Sequence, residues 1–269
     1  MNTSSRLVVF VLFVTPIFLA PALLSAQTLF DGTWRTNMDQ SKLSPKPIAF
    51  SLAAGMYECS SCNPQIKIKA DGADQPTPGQ SYDTESVKAV DAHSMQVVTK
   101  KNGKITAEST RTLSDDGKTL TVKTTSHPEN SDKTVSSEAT FTRVEKAPAE
   151  ANGTSGSWRL SKVQESDNGL TTTYKSSGDE LTMSTPTGES YTAKLDGKDY
   201  PAKGAYSYNS VSLKRIDDRT IEETDKRDGK VVGGHCERLS VKISSTDNFT
   251  FAGFSVCCCK NQGIVCGAV

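Results

Sequence analysis

Apolar and polar residues alternate along most of this chain with a period of two. In "SYTAKLDG", Tyr191, Ala193 and Leu195 fall on one face before a turn at Asp196-Gly197. "SVSLKRI" puts Val211 and Leu213 on one face, and "KTLTVKT" does the same with Leu120 and Val122. Side chains two apart share a face only in an extended strand, so each stretch predicts a half-buried β-strand. Turn chemistry recurs every eight to twelve residues, as "SSGDE", "TPTG", "LDGKD", "RDGK" and "SDDGK". After the N-terminal segment, no stretch keeps apolar residues at helical spacing over three turns. The pattern predicts an all-β protein of antiparallel barrels or barrel-like meanders, with six to eight short strands per unit.

The pattern also occurs twice. "GTW" at Gly32–Trp34 returns as "GSW" at Gly156–Trp158, 124 positions on. "DGADQPTPG" (71–79) returns as "DGKDYPAKG" (196–204) at an offset of 125. "SVKAVDAHSMQVVTKKNGKI" (86–105) aligns with "SLKRIDDRTIEETDKRDGKV" (212–231) at an offset of 126. Three ordered matches whose offset drifts by one residue per block are the mark of a tandem duplication with small loop insertions. The expected organisation is an N-terminal segment 1–26, a first barrel 27–146, a linker 147–155, a second barrel 156–240 and a cysteine-rich tail 241–269. The linker lies within "EKAPAEANGTSG", which carries no apolar period.

The two ends of the chain differ in character from the middle. Arg6 precedes the apolar run Leu7–Ser25, which ends in Ala26, and this predicts a secretory signal peptide cut before Gln27. An uncleaved membrane anchor is the alternative, weakened by Pro16 and Pro21. Export to the periplasm or the exterior follows, with no membrane association after cleavage. At the other end the second copy departs from the first. Copy one closes with "RTLSDDGKTLTVKT", whereas copy two passes from "ERLS" into "VKISSTDNFTFAGFSVCCCKNQGIVCGAV". That change is either divergence or a reading-frame change near codons 233–241. The latter predicts a second barrel that lacks its last hairpin and exposes a strand edge.

Charge narrows the partners. With 31 basic and 31 acidic residues, the chain carries no electrostatic footprint for nucleic acid. No serine-nucleophile, zinc-protease or phosphate-loop motif occurs, and no cofactor is expected.

A Gly-x-Trp on the first strand of a small antiparallel barrel resembles the signature of lipocalins and related calycins. There the tryptophan plugs the closed end, and Trp34 and Trp158 take that place here. The fuller string resembles a group of secreted bacterial proteins of unknown function. The resemblance is carried by "ECSSC" (58–62), the two DG phrases, "IEETDKRDGKVV" (221–232) and "LSDDGKTLTV" (113–122), and covers most of residues 30–240. It implies a lipocalin-like fold and export.

Several residues are candidates for chemistry. Cys59 and Cys62 form a C-x-x-C pair, read as a structural disulfide in an exported chain. Half a zinc site with His93 or His127, or a redox pair, are the alternatives. The D-x-x-D pairs Asp71/Asp74 and Asp196/Asp199 are expected to cap their own turns rather than bind a cation. One of Glu222 and Glu223 must point inward, where Lys214 or Arg215 is expected to pair with it. Tyr191, Tyr206 and Tyr208 are candidates to line a ligand mouth. The leading functional reading is a non-catalytic barrel protein holding a small apolar molecule. A protein with side-chain-filled barrels acting in the envelope or in protein interactions comes second, and a thiol-redox protein third.

Overall fold

The computed structural model describes residues 29–38, 43–147, 150–205, 207–217, 219–239 and 254–257. The expected signal peptide, Tyr206 and most of the expected tail lie outside these residues. In chain order the first strands are β1 (Gly32–Arg35), β2 (Ile48–Ala53), β3 (Met56–Cys59), β4 (Ile66–Lys69), β5 (Gln75–Pro76), β6 (Thr84–Asp91) and β7 (Ser94–Lys101). They continue as β8 (Lys104–Leu113), β9 (Thr119–Ser126), β10 (Val135–Lys146) and β11 (Gly156–Glu165). A short helix, α1 (Asp167–Leu170), precedes β12 (Thr171–Ser177), β13 (Glu180–Ser184), β14 (Ser190–Lys194), β15 (Asp196–Lys203) and β16 (Ser210–Asp217). The last are β17 (Thr220–Arg227), β18 (Lys230–Leu239) and β19 (Phe254–Cys257). The strands outnumber the sequence expectation because two- to five-residue strands such as β5 and β13 are too short to show a period.

These strands form two antiparallel sheets. The first is a nearly closed ten-stranded barrel, ordered β4-β3-β2-β11-β10-β9-β8-β7-β6-β5. Its seam is drawn together just beyond β4, where Asp71 bridges Lys88 and the Gly72 N–H donates to Val87 O at 2.9 Å. The second sheet has nine strands, ordered β1-β12-β13-β14-β15-β16-β17-β18-β19. Among the described residues its two ends, β1 and β19, do not pair.

The alternation read from the chain sets what is inside. In β4, Ile66 and Ile68 are buried while Lys67 and Lys69 face water. In β16, Val211 and Leu213 are fully buried, and Leu120 of β9 likewise. Each such side chain contributes about 1.5–3 kcal/mol when removed from water. The first core gathers Phe50, Tyr57, Val87, Met95, Leu120 and Trp158; the second gathers Phe30, Tyr174, Leu181, Tyr191, Leu213 and Ile221.

The duplication is visible atom by atom. The β7–β8 turn places Asn102 and Gly103 at φ +51° and +74°, and the β17–β18 turn places Asp228 and Gly229 at +51° and +76°. Both central residues of such a tight hairpin need positive φ, which is why Asn-Gly and Asp-Gly stand there. In the DG phrases the first aspartate accepts from the backbone two residues on: Ala73 N to Asp71 at 2.9 Å, and Lys198 N to Asp196 at 3.0 Å. The second pairs with a lysine of the neighbouring hairpin: Asp74 with Lys100 at 2.8 Å, and Asp199 with Lys226 at 2.5 Å. The phrase is repeated because it builds one corner twice.

Sheets and sequence copies do not coincide. Strand β11, the "GSW" strand of copy two, pairs with β10 and β2 and so completes the first barrel. Strand β1, the "GTW" strand of copy one, pairs with β12 of the second sheet. The registers are equivalent: Gly156 faces Phe50 as Gly32 faces Tyr174, and Trp158 faces Ile48 as Trp34 faces Thr172. The two copies have exchanged their first strands. Nor is the linker a free tether, for Thr154 and Ser155 are fully buried. Asn152 N donates to Leu52 O and Gly153 N to Ala92 O, both at 2.8 Å. Ser155 Oγ in turn accepts from Leu52 N at 2.8 Å. Its Asn, Thr and Ser read as a linker in sequence, yet here they satisfy backbone groups at the barrel's end.

Candidate functional site

The two tryptophans sit at the exchanged strands. Trp158 is fully buried, and its indole N–H donates to Thr154 O at 2.9 Å. Trp34 makes the equivalent bond to Phe30 O at 2.8 Å. The glycine ahead of each has φ near +135°, Gly32 at +136° and Gly156 at +135°. A side chain at Gly156 would also strike Glu145 O, 2.6 Å from its Cβ position. The Arg143 guanidinium lies 4.1 Å over the Trp158 ring and donates to the carbonyls of Gly117, Gly153 and Ser155 at 2.6–2.8 Å. Arg143 thus ties three chain segments over the plug. Trp34 is only half buried, because β1 is flanked by β12 alone among the described residues, whereas β11 lies between β2 and β10.

Within the first barrel a polar cluster is set into the apolar core. Glu85 of β6 is 3 % exposed, and Tyr82 donates its hydroxyl to Glu85 Oε2 at 2.5 Å. Arg111 of β8 donates to the Tyr57 hydroxyl at 3.2 Å and stacks 4.5 Å over Phe50. Burial pushes the Glu85 carboxyl above the usual range, against the opposing pull of the Tyr82 hydroxyl and the Arg111 charge. Burial likewise raises the Tyr82 and Tyr57 phenols. Such a cluster holds protons in place and joins β3, β6 and β8 from within; its phenols are kept neutral and are no nucleophiles at ordinary pH.

The second sheet repeats the idea with different parts. Tyr208 stands 126 positions after Tyr82 and donates to Glu189. Tyr191 donates to Glu223 Oε2 at 2.7 Å, and Glu223 is 3 % exposed. The tyrosine is kept between copies while its carboxylate comes from elsewhere. Extending the repeat alignment four residues upstream of Ser86 would have matched Tyr82 with Tyr208. No sequence signal pointed to Glu85 or Arg111, which meet only across strands.

Other expectations fare differently. Tyr191 is buried at 4 % exposure and donates to Glu223, and Tyr208 is half buried and donates to Glu189. Glu223 faces inward, but Lys214 does not reach it: Lys214 stands opposite Glu222, while Glu223 stands opposite Leu213. The inward acid is met by the Tyr191 phenol: Lys214 lies on the other face, and Arg215, opposite Ile221, is exposed. Cys59 and Cys62 form a disulfide with S–S 2.04 Å. It closes the turn after β3, where no helix start lowers a thiol pKa. His127 Nε2 lies 3.4 Å from Glu108, and no group of three metal-ligating side chains occurs among the described residues. Within the same residues no helix is long and apolar enough to cross a membrane.

Comparison with family models, curated proteins and solved structures yields no match.

Proposed function

We propose that this is an exported, non-catalytic barrel protein of lipocalin-like build whose barrels are filled by their own side chains and whose outer surfaces do the work. One observation carries the reading. Phe50, Tyr57, Val87, Met95, Leu120 and Trp158 are each at most 5 % exposed and pack on one another inside the first barrel. Large interlocked side chains leave little room for an apolar guest. The polar cluster around Glu85 favours the same view, since its hydrogen bonds are made within the protein. Export is supported by the Leu7–Ser25 run and by the Cys59–Cys62 disulfide, which an oxidising compartment preserves.

Native mass spectrometry of the full chain, purified from its exported form without detergent, tests the reading. A bare polypeptide that also fails to enhance the fluorescence of anilinonaphthalene sulfonate is the expected result. A co-purifying mass of a few hundred daltons, released on denaturation, would instead establish a carrier of small apolar molecules.

A further inference from the structure

The dipeptide Asn-Gly occurs three times in the chain, at 102–103, 152–153 and 168–169. In such a pair no side chain on the glycine hinders its nitrogen from approaching the asparagine carboxamide. The fold treats the three pairs differently. Gly153 N donates to Ala92 O at 2.8 Å, and Asn152 Nδ2 donates to Asp91 O at 2.7 Å. Asn152 Oδ1 accepts from Thr154 N and Thr154 Oγ1, so its carboxamide is held at both ends. Gly169 N donates to Ser166 O, and Asn168 Nδ2 to Thr134 O, both at 3.0 Å. Asn102 and Gly103 instead form the exposed tip of the β7–β8 hairpin. Among the described residues, neither the Asn102 carboxamide nor the Gly103 N–H makes a hydrogen bond. A Cβ at Gly103 would meet no atom within 4 Å, so the tip has room to rearrange.

We infer that Asn102 is a site of spontaneous deamidation, at a corner of the barrel built to hold a single carboxylate. The reaction needs only water. The Gly103 nitrogen gives its proton to solvent and bonds to Asn102 Cγ; the Cγ–Nδ2 bond breaks, and ammonia leaves a cyclic succinimide. Water then adds to either ring carbonyl, and opening leaves aspartate or isoaspartate at 102. The change adds one negative charge and alters no oxidation state. Lys101 and Lys104 flank the pair, and their charge favours the anionic nitrogen that attacks. The second copy shows why the product matters. At the repeat offset of 126, Asp83 corresponds to Asn209 and Asn102 to Asp228, so acid and amide have traded places. In copy one, Asn102 N donates to Asp83 Oδ2 at 2.6 Å. In copy two, Asp228 N donates to Asn209 Oδ1 at 3.1 Å, and Asn209 Nδ2 donates to Asp228 Oδ1 at 2.8 Å. Each corner thus joins one carboxylate to one amide. Deamidation at 102 sets a second carboxylate beside Asp83, and adjacent like charges destabilise a hairpin. The isoaspartate product also lengthens the backbone within a turn whose two residues both hold positive φ.

The test is to age the full chain in mildly alkaline buffer, folded and in urea side by side. Glutamyl-endopeptidase digestion and mass spectrometry then follow the three asparagines. In the folded chain the amide-to-acid mass change should accumulate at Asn102, with isoaspartate among the products. It should do so at least about tenfold faster than at Asn152 or Asn168, which react only after local opening. In urea all three should react. An Asn102 that stays intact in the folded chain while the urea sample reacts overturns the proposal, as do equal folded-state rates at the three sites. The corner is tested by variants. Asn102→Asp should lower the melting temperature by roughly 2–4 °C. Adding Asp83→Asn, which recreates the acid–amide pair of copy two, should recover the loss. An Asn102→Asp variant that melts with the parent, or a double variant no more stable than the single one, overturns the single-carboxylate reading of the corner.

Discussion

Glu85 shows how much of this protein turns on single contacts that alternation cannot forecast. Its position in β6 marks it as inward only because Val87 follows two residues later. A buried carboxyl opposite Thr99 and beneath Tyr82 is a property of three separate stretches of chain. Because burial raises its folded-state pKa above the ordinary 4.5, the native state holds this proton more tightly than the unfolded chain does. Its contribution to stability is therefore complete below the unfolded value and is lost as pH rises through the folded one. Glu85→Gln keeps an acceptor for Tyr82 and removes the titration. Urea melts should find the variant more stable than the parent at neutral pH, by roughly 1 kcal/mol, with the difference shrinking toward pH 4. An unchanged pH profile would show that Glu85 is not the titrating group. The D-x-x-D aspartates lie at the other extreme of legibility. Asp196 is held below the usual carboxylate range chiefly by the Lys198 N–H, and capping is what Asp before Gly in a turn leads one to expect.

At the scale of elements, strands and turns were legible where they had length. Strands β6, β7 and β8 and their counterparts β16, β17 and β18 recur at the sequence offset of 126. The short strands around the C-x-x-C turn were not, because four residues give a period of two no room to repeat. Strand partnership was the least legible of all. The "GSW" strand lies within copy two, yet it faces Ile48 and Phe50 of copy one. A direct consequence concerns fragments. Residues 43–166 contain all ten strands of the first barrel, β2 to β11, and should fold alone with a cooperative thermal transition. Residues 27–146, the first sequence copy, lack β11 and with it the buried Trp158. Losing that side chain alone costs about 3–5 kcal/mol, a large share of a small domain's stability. Circular dichroism melts of the two fragments separate the alternatives; a cooperative 27–146 would mean that β1 can return to its own copy.

In the whole molecule, the exchange interlocks the halves. The segment before the linker contributes β1 to the second sheet, and the segment after it contributes β11 to the first. A protease site inserted between Ala147 and Ala151 would cut the chain while leaving both exchanged strands in place. The two fragments should co-elute on gel filtration in native buffer and part only in denaturant. Fragments that separate without denaturant would refute the exchange. The second sheet also explains a contrast between the copies. In the first barrel β10 lies beside β9 and brings Arg143 over Trp158; in the second sheet the order ends at β19 among the described residues. The expected loss of a closing hairpin in copy two bears on that region, most of which lies outside the described residues.

The chain by itself determined the duplication, the all-β class, the hairpin turns and the candidate C-x-x-C bridge, since each depends on local chemistry or on a period carried by neighbouring residues. Tertiary structure alone decided which sheet each Gly-x-Trp strand enters. The two strands offer the same backbone hydrogen bonds in the same register, so local preference cannot choose between them. Connection length can: a short, partly buried segment joins β10 to β11, which keeps β11 beside β10 in the first barrel at little loop-closure cost. With that place filled, β1 pairs across the molecule with β12.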